Sequence, residues 1–151
     1  MKLTQSITIL RYIAQKYHFD GKNNLERVRI NLAEQQIVDL NRALLDATLP
    51  QNYLEHKATY LEAAAEQLEE LVRFLGDGLY VTASQLSYVD FWLYEYLIKV
   101  KLYAGADYMR RFPTLSAFIT RIEELPKIAQ YIRENDPLPL SGPRYAWQDK
   151  Y

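Results

Sequence analysis

An all-α fold follows from three features of the 151-residue chain. Apolar residues recur at spacings of three and four through most of its length, the period of a helix with one buried face. The five glycines, Gly21, Gly76, Gly78, Gly105 and Gly142, fall between those stretches, so they punctuate helices rather than interrupt them. One stretch, after a Ser87-Tyr88-Val89-Asp90 start, is apolar on nearly every side, as expected of a helix at the centre of a bundle. At this length the chain makes one domain, burying roughly 70% of the surface its unfolded form exposes.

The first helix begins after Gln5-Ser6 and carries Ile7, Leu10, Ile13, Ala14 and Tyr17 at helical spacing, with Ser6 as candidate N-cap. A helix start offers unpaired N–H groups and the positive end of the dipole. The Gln5-Ser6 pair therefore reads either as a carboxylate or phosphate site or as an ordinary cap. A polar turn over 18–24 leads into a second helix over about 25–47. Its apolar positions are Leu25, Val28, Leu32, Leu40, Ala43, Leu44 and Ala47, with Glu34, Gln35, Gln36, Asp39 and Arg42 as a polar group midway. Taken alone, that group reads as an exposed helix face. The third helix, about 52–75, has a clean stripe at Tyr53, Lys57, Tyr60, Leu61, Ala64, Leu68, Leu71, Val72 and Leu75, broken only by the Lys57 stem. Two long helices with so short a link form an antiparallel pair.

Gly76-Asp77-Gly78 ends the third helix, and residues 79–82 form an extended piece too isolated to make a sheet. Ser87 and Asp90 then have the spacing of a capping box, in which each side chain satisfies the other residue's backbone N–H, ahead of the central helix running to about 103. Further helices follow from about 110–113 to 125 and, with Pro126 in the first turn, to about 133. Three of the six prolines lie between Pro137 and Pro143, which predicts an extended tail, with Tyr145 and Trp147 able to dock back on the body.

Composition removes several classes of function. Eighteen basic against 19 acidic residues leave a net charge of −1, no bulk attraction for nucleic acid or an anionic membrane, and Arg110-Arg111 is too small a basic patch to change that. With no cysteine there is no disulfide framework, thiolate zinc site or cysteine nucleophile. No signal peptide is visible, and the apolar run over 91–100, which carries Glu95 and Lys99, is far short of the ~20 residues of a membrane span. His18 and His56 stand alone, without metal spacing; Glu69-Glu70 and Glu123-Glu124 read as solvated faces.

Leu3-Thr4-Gln5-Ser6 followed by Ile9-Leu10-Arg11-Tyr12-Ile13, then Ala33-Glu34-Gln35-Gln36 with Asp39, then Ser87-Tyr88-Val89-Asp90-Phe91 and Phe112-Pro113-Thr114-Leu115, together resemble a cytosolic glutathione transferase. The mu class, with its arthropod and mite members, is the closest. The resemblance runs through the whole chain in order. It implies a glutathione transferase C-terminal-type helical bundle over 18–151, with the Ser87–Asp90 cap on a buried central helix and an extended C-terminal tail. It makes residues 1–17 a remnant, the last strand end and helix, of a thioredoxin-like N-terminal domain whose catalytic tyrosine and cis-proline match nothing here.

The resemblance also implies roles for single residues. Gln5 and Ser6 match positions that hold the γ-glutamyl part of glutathione, Asp39 one that reaches the γ-glutamyl amine of glutathione in the partner subunit, and Arg11 one near the two-fold axis of the family homodimer. Leu49, Ser141 and Gly142 fall in the second-substrate pocket. Leu49 stands where mu enzymes commonly carry a proton-donating tyrosine, which implies a more apolar site and weaker help for epoxides. The implied function is conjugation of glutathione, the co-substrate, to hydrophobic electrophiles in the cytoplasm, with no covalent cofactor, metal, nucleic acid or membrane partner. This chain alone is then expected to be inactive. A non-catalytic scaffold of the same fold is the alternative, against which the retention of Gln5, Ser6 and Asp39 counts. Without the first domain, Ile7, Leu10, Ile13 and Ala14 are expected to form an uncovered patch that self-associates, or a helix that docks differently.

Overall fold

The computed structural model describes residues 2–48 and 53–135. The expected pocket residues Leu49, Ser141 and Gly142 lie outside this range, as do Tyr145 and Trp147 of the tail. The described residues form seven helices: α1 Ser6–Lys16, α2 Asn24–Thr48, α3 Tyr53–Leu75, α4 Tyr88–Ala104, α5 Ala106–Met109, α6 Pro113–Glu123 and α7 Pro126–Glu134. The expected extended piece contributes an isolated bridge between Tyr80 and Ala83, and no strand occurs among the described residues. The four-residue α5 has no counterpart in the periodicity, because Gly105, at φ +97, ends α4 and lets the chain turn at once into another helical turn.

The central helix is where its sequence puts it. α4 packs against α1, α2, α5 and α6, with Leu93, Tyr96, Leu97 and Val100 fully buried. α3 uses its expected stripe, burying Tyr60, Ala64, Leu68, Leu71 and Leu75, and packs along α2. Proline opens both α6 and α7, where the missing N–H is no loss.

α2 is in a different register from the one its first half suggests. The buried stripe is Ile30, Ala33, Ile37, Leu40, Leu44 and Ala47, whereas Leu25 and Leu32 are 79% and 61% exposed and Val28 is exposed with them. Both series have helical spacing, and α2 turns toward the core the one that continues into its second half. α1 meets its expectation in part. Of its expected apolar patch Ala14 is buried and Leu10 packs on the core, while Ile13 is exposed as expected, together with Ile9, Tyr12 and Tyr17.

Charged side chains from three helices hold the loop between α3 and α4. The Arg29 guanidinium donates to the carbonyls of Phe74 and Val81 and lies 4.2 Å from the Phe74 ring centroid. Arg121 Nη1 donates to Leu79 O at 2.8 Å, and Asp90 Oδ1 accepts the Val81 N–H at 2.8 Å. The same carboxylate works the cap of α4. Its Oδ2 takes the Ser87 N–H at 2.7 Å and the Ser87 hydroxyl at 2.6 Å, completing the expected box. Burial pushes the Asp90 carboxyl up, and the hydrogen bonds from Ser87 and Val81 pull the other way.

Candidate functional site

The head of α1 is built differently from an ordinary capped helix. Ser6, the expected N-cap, is the first helical residue; the cap position belongs to Gln5, at φ +70, and no side chain caps the helix. The reason is the Gln5 backbone: in that left-handed conformation it turns the chain into the helix one residue early. Ile9 N–H to Gln5 O, 3.0 Å, is the first helical hydrogen bond. The N–H groups of Ser6, Ile7 and Thr8 precede it, so the positive end of α1 is open beside the exposed Gln5 and Ser6 side chains. Such a group of donors suits a carboxylate.

Asp39 lies exposed on α2, and among the described residues no hydrogen bond joins it to Gln5 or Ser6. Arg11 is engaged inside the chain, where its Nε donates to Glu34 Oε2 at 2.8 Å and its Nη2 to Oε1. A cleft of about 270 Å³ opens beside it, with Tyr88 also on its wall, and Arg11 stays half exposed.

Glu34 is the residue that the sequence pattern named but misplaced. It is not part of an exposed face: its side chain is 0% exposed, and besides Arg11 it receives the Tyr88 hydroxyl at 2.6 Å and the Gln35 amide at 3.2 Å. Burial alone would raise its carboxyl, but the hydrogen bonds from Arg11 and Tyr88 outweigh burial and hold it below the usual carboxylate range. Its position four residues after Ile30 and three before Ile37 was the available signal. It sits on the buried stripe, once that stripe is known.

No tyrosine in the core is poised to act on a ligand. Tyr60 and Tyr96 pair at 3.4 Å, Tyr94 donates to Glu123 at 3.2 Å, Tyr103 to Ala47 O at 3.4 Å and Tyr108 to Leu61 O at 2.5 Å. Burial raises the phenols of Tyr60, Tyr88 and Tyr108 and pushes those of Tyr94 and Tyr96 up to about 12, so each stays protonated and bonded to the partner it already has within the bundle. Among the described residues no His, Asp or Glu side chains gather as metal ligands, and no helix is long and apolar enough to cross a membrane.

Comparison with known proteins gives a consistent picture. Residues 40–135 match the family described as the glutathione S-transferase C-terminal domain. Over 151 residues the chain is 37% identical to a glutathione S-transferase of Tyrophagus putrescentiae, covering 100% of this chain and 69% of that protein. It is 32% identical to human glutathione S-transferase Mu 3, covering 99% of this chain and 67% of that one. The crystal structure of the glutathione S-transferase Blo t 8 superposes with a TM-score of 0.81 at 25% identity, over 88% of this chain and 64% of the other.

Proposed function

Because the chain belongs to the glutathione S-transferase family, we propose that it is the helical part of an enzyme that joins the glutathione thiolate to hydrophobic electrophiles. In this reading residues 18–151 are the helical domain and residues 1–17 belong by descent to a thioredoxin-like domain. Gln5 and Ser6, with the open N–H groups of α1, receive the γ-glutamyl carboxylate of glutathione. Asp39, exposed on α2, reaches the γ-glutamyl amine of glutathione in the second copy of a homodimer, and Arg11 lies near the two-fold axis. Leu49, Ser141 and Gly142 border the second-substrate pocket, and a leucine at position 49 cannot donate a proton. The enzyme works in the cytoplasm.

The observation that carries this reading is the head of α1: three consecutive backbone N–H groups without an intrahelical partner, no side-chain cap, and the Gln5 amide and Ser6 hydroxyl exposed alongside. The chemistry of the reaction asks for one further group, a hydroxyl that bonds the glutathione sulfur and favours thiolate over thiol, so that attack on carbon is fast at neutral pH. The hydroxyls of Tyr60, Tyr88, Tyr94, Tyr96, Tyr103 and Tyr108 are committed within the bundle, which supports assigning that role to the thioredoxin-like domain and none to this chain.

Two measurements test the proposal. The chain alone, given glutathione and an aromatic halide, is expected to show no turnover above the uncatalysed rate, and robust turnover refutes the division of labour. Glutathione at millimolar concentration is expected to shift the Ser6 and Ile7 amide resonances. If these stay still, the reading of the α1 head is wrong.

A further inference from the structure

Glu34 and Asp90 are the two fully buried carboxylates among the described residues. Asp90 serves the start of α4. Glu34 sits mid-helix in α2 and caps nothing, yet it draws a guanidinium from α1, a hydroxyl from the first turn of α4 and an amide from its own neighbour. Glu34 is fully buried while Arg11 stays half exposed, so the cost of taking the carboxylate out of water offsets much of what the pair contributes to stability. What a two-pronged guanidinium–carboxylate pair does supply is a fixed direction and distance.

α1 needs that kind of fixing. Ala14 is its one buried residue, and the half-buried Leu10 packs on the core beside it. Apolar contacts of this sort are non-directional and do not by themselves fix a helix along its axis. At its head, Gln5 is held at φ +70, a conformation that a residue with a side chain keeps only when its surroundings impose it. Arg11 is five residues past Ser6, about 7.5 Å along the axis at 1.5 Å per residue. The helix between them is short enough to act as a rigid lever.

We propose that Glu34 is a positioning residue for the anion site at the head of α1: by gripping Arg11, and being gripped in turn by Tyr88, it sets where α1 lies along the bundle and so where Gln5 and Ser6 present their donors. This rests on the assignment of Gln5 and Ser6 to the γ-glutamyl carboxylate.

The test compares the wild-type chain with Glu34→Gln, Tyr88→Phe and Ser6→Ala, using amide hydrogen exchange, the Ser6 amide resonance and titration with glutathione. In Glu34→Gln the α1 amides are expected to exchange about tenfold faster, the factor given by a lost charge-assisted hydrogen bond of ordinary strength. Exchange in α3 and α6 is expected to hold, the Ser6 resonance to move, and glutathione to bind about tenfold more weakly. Tyr88→Phe, which keeps the Arg11 pair, is expected to move the same reporters in the same direction by less, and covers the case in which Glu34→Gln does not fold. Ser6→Ala is expected to lose the glutathione response with α1 exchange unchanged. Exchange that rises equally in every helix, or a glutathione response in Glu34→Gln at wild-type strength while Ser6→Ala abolishes it, overturns the positioning role alone. A wild-type chain whose Ser6 and Ile7 resonances ignore glutathione overturns the α1 assignment, and this proposal with it.

Discussion

Asp90→Ala is expected to be among the most damaging single changes outside the apolar core. The carboxylate is fully buried and accepts three donors, the N–H groups of Val81 and Ser87 and the Ser87 hydroxyl. Removing it strands two backbone donors where water has no access, and each such group costs about 1–3 kcal/mol. The desolvation that burial imposes on Asp90 is relieved at the same time, so a loss of about 3 kcal/mol is expected, out of a total stability on the order of 5–15 kcal/mol. Ser87→Ala removes only the hydroxyl's bond and is expected to cost about 1 kcal/mol, the usual size of a lost N-cap. Because both variants break the same hydroxyl–carboxylate contact, the double variant is expected to fall about 1 kcal/mol short of the sum. Chemical denaturation followed by helical circular dichroism reads all three. An Asp90→Ala loss under about 1 kcal/mol, or strict additivity, would refute the claim that this carboxylate ties the α3–α4 loop to the start of α4.

Three further outcomes follow from the same physics. Ala83 closes the tight turn with Tyr80 at φ +81, so Ala83→Gly is expected to stabilise the chain by about 1 kcal/mol and raise its melting temperature by about 2–4 °C in calorimetry. The Glu34 carboxyl is depressed in the folded chain, so its ion pair contributes in full above the pKa of the unfolded state and loses that contribution as pH falls through the folded value; Glu34→Gln is therefore expected to flatten the acid limb of a stability–pH curve, and an unchanged limb would place the acid sensitivity elsewhere. Ile13 and Tyr17, 45% and 59% exposed beside Ile9 and Tyr12, are expected to drive concentration-dependent association in sedimentation, and Ile13→Lys to weaken it, whereas a strictly monomeric wild type would show that the face is inert.

The parts of the fold legible in the sequence are those where a single helix decides its own fate. α3 has one apolar stripe and buries it. α4 is apolar all round and becomes the centre, and its Ser87–Asp90 cap is local, so spacing alone was enough to find it. α2 was ambiguous because Leu25, Val28 and Leu32 and the series from Ile30 to Ala47 are both helical, and nothing within α2 says which faces in. The candidate site was legible by resemblance more than by chemistry. Ser6 was expected to cap α1, but Gln5 holds that position, because a positive φ at a glutamine leaves no mark in local pattern. Glu34 was misplaced because its partners Arg11 and Tyr88 are 23 and 54 residues away, and a buried charge is recognisable only from its partners.

α1 brings these threads together. A helix that is apolar on a single side belongs to one layer, and α1 is apolar on two: Leu10 and Ala14 meet the bundle, while Ile9, Tyr12, Ile13 and Tyr17 face outward. Such a helix suits a place between two layers, which supports the assignment of residues 1–17 by descent to a domain other than the bundle it rests on. It also explains why an ion pair, rather than more apolar surface, ties it down. Apolar contact on both faces would hold α1 between its neighbours without choosing a position along its axis, and a site made of backbone N–H groups at its end depends on that position. The Arg11–Glu34–Tyr88 contact supplies the missing constraint from the side of α1 that the bundle already covers.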